Sequence, residues 1–162
     1  SREYFNDIFT PEGEVFDSFL MDTVIPYVEN NFPVCTDRQN VAVCGSSSGG
    51  LMSFFSAFEH PEKFGYAGVF SPAFLCYTRE DWAKYLSTKI VENMPYLYIY
   101  TGNGDELEEM IFESTEMLYE LLEESFYPYD RMNEVILFEN AHNEKSWREI
   151  FPDFLHTFLS RL

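Results

Sequence analysis

The chain has 162 residues, 46% apolar and 19% aromatic, which suits one domain with a real core and argues against a disordered chain. With 28 acidic and 10 basic residues the net charge is −18, so phosphate backbones and anionic lipid are repelled and no nucleic acid or membrane partner is expected. The three widely spaced cysteines, Cys35, Cys44 and Cys76, lack any metal-ligand spacing and fit buried free thiols in a reducing, cytoplasmic compartment.

Residues 1–14 read as irregular and end in the turn-like "TPEGE". From Val15 to Val28 apolar residues recur at helical spacing, with Pro26 inside the pattern and expected to kink it. The polar "CTDRQN" connects to a short apolar strand over 41–44, which runs straight into "GSSSGG". Residues 48–58 are apolar nearly all round, the pattern of a buried helix. The chain then alternates: strand 66–70, helix 79–91, strand 94–101 ("MPYLYIYT"), helix 106–125, strand 134–139 ("EVILFE") and helix 145–161. The helix over 106–125 combines apolar residues at helical spacing with an acidic face, so much of the charge is a solvated surface. No internal repeat or linker divides the chain, and no apolar run is long enough for a membrane span.

Strands alternating with helices predict a three-layer α/β/α domain with a parallel sheet. In such a sheet the strand C-termini line one edge, and ligands bind there. Here those ends lead into "GSSSGG", "SPAF", "GNGDE" and "NAHNE", which place serine, acid and histidine on one edge.

Gly45 and Gly49 flank Ser47 in the G-x-S-x-G pattern of a nucleophile elbow, with a strand before it and a helix after it as that turn requires. A plain glycine-rich turn is one competing reading. A phosphate loop is another, but it lacks the lysine and glycine spacing such loops use. A serine hydroxyl needs a base within hydrogen-bond reach, and the base needs an orienting carboxylate. Of the three histidines, His60 reads as an exposed turn residue and His156 lies on the polar side of the last helix. His142 alone follows a strand end. For the acid, Asp105 follows the strand "YLYIYT", and Glu106 is its rival. The order Ser47, Asp105, His142 is that of α/β-hydrolases. Ser48 would open the helix and aim its N–H at a developing oxyanion.

With these residues in place, the chain resembles the "putative-esterase" family of α/β-hydrolases, which includes enterochelin-esterase-like proteins, feruloyl and acetyl-xylan esterases, S-formylglutathione hydrolase and mycolyltransferases. The resemblance rests on "DSFLMDTVIPYVENNFPV", the stretch from "NVAVCGSSSGG" to "SPAF", "YLYIYTGNGDE" and "AHNEKSWREIFPDFLHTFL", covering 15–162. It implies Ser47 as nucleophile, His142 as general base and then acid, and Asp105 rather than Glu106 as the orienting carboxylate. It implies an oxyanion N–H from Ser48, and a substrate pocket lined by Ser71, Pro72, Ala73 and Phe74 with Ser46 and Trp147 beside them. The implied substrate is a small-molecule ester, with no metal or cofactor. Family members carry further strands ahead of the first helix seen here, including the loop that gives a second oxyanion donor. The chain therefore reads as one α/β-hydrolase domain over 1–162, incomplete at its N-terminus. Val41 to Cys44 would then form an open apolar edge, which invites a homo-oligomer or another chain to cover it. The alternative to an ester hydrolase is a non-catalytic binding module that keeps the fold with an incomplete oxyanion hole.

Overall fold

A computed structural model describes residues 11–89 and 93–161. Four parallel strands, β1 (Ala42–Ser46), β2 (Tyr66–Phe70), β3 (Tyr96–Thr101) and β4 (Met132–Ile136), lie side by side in sequence order. Around them run α1 (Pro11–Phe19), α2 (Ile25–Asn31), α3 (Ser48–Glu59), α4 (Arg79–Lys89), α5 (Glu106–Glu124) and α6 (Glu144–Leu159).

The three layers follow from strand alternation. In "YLYIY", Tyr96, Tyr98 and Tyr100 join Tyr66 and Phe70 on one face, where Ile150 and Phe154 of α6 cover them. Leu97 and Ile99, with Ala67 and Val69, point the other way, into the cluster formed with α3, α4 and α5. Trp82 of α4 is fully buried there, its Nε1 donating to the Phe74 carbonyl at 3.0 Å and its ring meeting Phe54 and Phe55.

Several boundaries differ from the sequence expectation, each for a local reason. Strand β1 extends to Ser46 because its ladder with β2 continues through Gly45–Val69 and Ser46–Phe70. Pro11 to Glu14 open α1 instead of forming a turn, since proline is tolerated in a first helical turn; the rest of 1–14 lies outside the described residues. Residues 90 and 91 of the expected helix 79–91 also lie outside them. At Pro26 the helix widens into a π turn over Leu20–Val24 before α2 begins, which absorbs the missing proline N–H. His60 is not a free turn residue: its side chain is 24% exposed, and its Nε2 lies 2.7 Å from Asp17 Oδ2, clamping α1 to the end of α3. The cysteines are free as expected but exposed, not buried, because Cys35 and Cys76 lie between the main elements and Cys44 on an edge strand.

Among the described residues strand β1 pairs with β2 alone. Beside it runs an apolar groove of about 390 Å³, walled by Val28, Val34, Val41, Leu155 and Phe158. Among the described residues no helix is long and apolar enough to cross a membrane.

At the opposite edge, Glu134 of β4 packs near Glu116 and Glu123, and among the described residues its Oε1 has no hydrogen-bond partner. Burial, then Glu116, pushes its carboxyl up to about 7 from an ordinary 4.5. A raised carboxyl binds more protons in the folded than in the unfolded state between those values. Its contribution is therefore fully present below about pH 4.5 and is lost as pH rises toward 7. Glu134→Gln should raise stability at pH 8 by about 1 kcal/mol, limited by solvent screening, and should gain nothing at pH 4. Urea unfolding at the two pH values checks this, and equal effects at both would exclude it.

Candidate active site

The C-terminal ends of the strands bring the site together. Ser47 directly follows β1 and sits at φ 58°, ψ −122°, a conformation L-residues rarely adopt. Such backbone costs roughly 1–3 kcal/mol and persists only where its surroundings enforce it. Here the Ser47 N–H donates to the Phe70 carbonyl (2.9 Å), while the Ser47 carbonyl accepts from Leu51 (3.1 Å) and Ala73 (3.2 Å). The turn needs glycine at Gly45 and Gly50, because added Cβ atoms would lie 2.6 Å from the Gly49 carbonyl oxygen and 2.7 Å from that of Phe70. A Cβ on Gly49 would meet nothing within 4 Å. The steric requirement thus falls on Gly45 and Gly50, not on the flanking pair Gly45 and Gly49 of the motif.

Ser48 begins α3, so its N–H belongs to the first turn and has no acceptor within the helix. The positive end of the helix dipole adds to it.

His142 lies in the loop between β4 and α6. Asn143 caps α6, accepting from the Lys145 and Ser146 N–H groups, which holds the loop at the helix start. The Gly104 N–H donates to the Asn140 carbonyl at 2.8 Å and ties this loop to the one after β3. His142 Nε2 lies 3.0 Å from Ser47 Oγ, and the ring is 10% exposed.

The other ring nitrogen meets neither of the two carboxylates expected beside it. Nδ1 of His142 lies 2.7 Å from Oε2 of Glu108, which is fully buried. Asp105 instead caps α5: its carboxylate accepts from the Glu108 N–H and from the His142 backbone N–H, both at 2.8 Å. Those two N–H groups, in that order, hold the exposed Asp105 carboxyl below the usual range. Glu106, the rival, is exposed in the first turn. The physical reason is that both Asp105 oxygens are aimed at backbone N–H groups, Oδ1 at Glu108 and Oδ2 at His142, and away from the imidazole.

Glu108 carried a readable signal. It falls on the face of α5 that buries Ile111, Thr115, Leu118 and Leu122. A carboxylate on the buried face of an amphipathic helix is anomalous unless something pairs with it. The neighbouring pattern Asp-x-x-Glu hides this, since it also reads as an N-terminal cap.

The residues expected to line a pocket separate. Phe74 is fully buried in the core, and Pro72 is buried. Ser71 is fully buried behind the histidine, donating to Glu108 Oε1 at 2.6 Å, and Trp147 Nε1 donates to Ser71 Oγ at 2.9 Å. Ala73 and Ser46 keep partial exposure near Ser47. Among the described residues no cluster of three or more His, Cys, Asp or Glu side chains is placed to hold a metal ion.

The "Putative esterase" family model matches residues 10–158. The chain belongs to this family. It is 33% identical over 107 residues to an endo-1,4-beta-xylanase/feruloyl esterase of Xylanibacter ruminicola, covering 65% of the chain and 13% of that protein. It is 25% identical over 133 residues to protein YbbA of Bacillus subtilis, covering 78% of the chain and 53% of YbbA. Among solved structures, enterochelin esterase from Shigella flexneri superposes with a TM-score of 0.75 at 19% identity, over 88% of this chain and 36% of that one. A ferulic acid esterase superposes with a TM-score of 0.73 at 15% identity, over 90% and 61%. This esterase-family chain thus spans about half or less of the two curated relatives, and its parallel sheet with helices on both faces is the fold of the structural neighbours.

Proposed function

We propose that this esterase-family chain carries the catalytic serine, histidine and acid of a hydrolase that cleaves carboxylic esters through an acyl-enzyme. The observation that carries the reading is the hydrogen-bonded line Ser47, His142, Glu108, with spacings of 3.0 and 2.7 Å, built on a strained serine turn. In the first half, His142 Nε2 takes the Ser47 Oγ proton as Oγ attacks the ester carbonyl. The oxyanion forms at the Ser48 N–H, and the alcohol leaves with the proton from His142. In the second half, His142 deprotonates a water, which attacks the acyl-enzyme carbonyl, and Ser47 leaves with the proton returned. Glu108 fixes the imidazole with Nδ1–H toward the acid, so that Nε2 is free to accept. Because the similar proteins include a feruloyl esterase and a ferulic acid esterase, feruloyl esters are the first substrates to test.

A second reading is favoured by the open β1 edge. Among the described residues no strand pairs with the outer edge of β1, the side from which family relatives bring a second oxyanion donor, and a chain without that donor would keep the fold as a binding module without turnover. A fluorophosphonate probe separates the two. The hydrolase reading expects stoichiometric labelling at Ser47, lost in Ser47→Ala. Folded protein that takes no label, or a Ser47→Ala variant that labels equally, overturns it.

A further inference from the structure

Glu108 has four hydrogen-bonding opportunities in a space with no water access, and how they are filled decides where its carboxylate points. Oε2 takes the His142 imidazole at 2.7 Å. Oε1 takes two donors, the Ser71 hydroxyl at 2.6 Å and the Gly102 N–H at 2.8 Å. The second donor is backbone and fixed. The first is a rotor whose single proton could go elsewhere. Trp147 removes that freedom: an indole N–H can only donate, and it donates to Ser71 Oγ at 2.9 Å. The hydroxyl's acceptor side is then occupied, and its proton is directed to Glu108. The same indole stands edge-on to the His142 ring, with centroids 5.1 Å apart and planes at 89°. Ser71 itself sits at φ 41° with its N–H donating to the Tyr100 carbonyl at 2.7 Å, so its position is set by the ends of β2 and β3.

We infer that Ser71 and Trp147 are positioning residues, which aim the Glu108 carboxylate at His142 through the directed chain Trp147 N–H to Ser71 O–H to Glu108. The inference rests on the proposed hydrolase reading for its consequence in turnover, but not for its geometry. It differs from a pocket role, because Ser71 is fully buried with its hydroxyl on Glu108, and the Trp147 N–H is spent on Ser71 and not on open space. The charged and titratable groups around His142 are Glu108 on Nδ1 and Asp105 on the backbone N–H; Ser47 faces Nε2.

Two variants test it. Ser71→Gly removes the hydroxyl at a φ that glycine adopts freely, so a purely structural role for Ser71 predicts no loss. Trp147→Phe keeps an aromatic ring at the His142 edge and removes the N–H together with one ring of the indole, and thermal melts alongside read the packing loss separately. The first readout is the His142 Nδ1–H resonance of nitrogen-labelled protein, which reports the bond to Glu108 whether or not the protein turns over. It should weaken and exchange faster in both variants and vanish in Glu108→Gln. The second readout is ester hydrolysis: kcat should fall about 10-fold in Ser71→Gly with KM unchanged, and the loss should disappear in a Glu108→Gln background, where the aimed group is gone. An unchanged Nδ1–H resonance in Ser71→Gly, or a kcat loss that adds fully to that of Glu108→Gln, overturns the inference. A weakened resonance in a protein whose Ser47 takes no fluorophosphonate leaves the positioning chain standing and removes the hydrolase reading instead.

Discussion

Glu108→Gln should lower kcat for ester cleavage by on the order of 10³–10⁴, while Asp105→Asn should stay within about 10-fold of the parent. The asymmetry comes from what each carboxylate touches. The Glu108 carboxylate accepts from Nδ1 of His142, so its charge both selects the tautomer and stabilises the imidazolium that forms when Ser47 gives up its proton. A glutamine presents either an N–H to that nitrogen, forcing the wrong tautomer, or a neutral oxygen. Asp105 meets only backbone N–H groups, of Glu108 and His142. Asparagine retains one acceptor oxygen, so its loss is chiefly a weakened cap of about 1 kcal/mol. Steady-state kinetics with a small activated ester, alongside thermal melts, checks both. Equal losses in the two variants, or a larger loss in Asp105→Asn, would return the acid to Asp105.

The second large effect concerns the serine turn. Gly50→Ala should destabilise the fold by about 1–3 kcal/mol and suppress labelling of Ser47, because the new Cβ would stand 2.7 Å from the Phe70 carbonyl oxygen and 3.2 Å from Pro72 Cα. Both are backbone atoms, so the helix start must move, and Ser47 moves with it. Gly49→Ala should behave in the opposite way. Its Cβ meets open space within a helix, and alanine should stabilise by about 0.5–1 kcal/mol. The motif alone ranks these two glycines the other way round. Urea unfolding of both variants decides the matter, and an indifferent Gly50→Ala would show that the turn relaxes more easily than its contacts indicate.

The legible parts of this protein share one property: their signals are local. Tyr66–Phe70 and "YLYIY" announce buried strands by composition and alternation, and the helix after Ser47 by an apolar run. Ser47 follows from glycine spacing, and His142 from its place just past a strand end. Glu108 is harder to read: three acids, Asp105, Glu106 and Glu108, stand within four residues, and a carboxylate on the buried helix face announces that it needs a partner without saying that the partner is a histidine 34 residues on. The helix cap decides it, by engaging Asp105 and leaving Glu108 on the inward face. Ser71 and Trp147 read as pocket residues for a similar reason: a hydroxyl and an indole near Ser47 suit either role until their partners are known.

The sequence by itself therefore determined the α/β order and brought Ser47 and His142 forward as candidates, since helical periodicity, apolar strand runs and a five-residue turn are complete within short stretches of chain. Only the tertiary structure decided which carboxylate meets His142, which donors hold that carboxylate, and which glycine the turn cannot do without. Each of those depends on a backbone or side-chain approach under 3 Å between segments the sheet edge brings together, and no local pattern encodes which atoms will meet there.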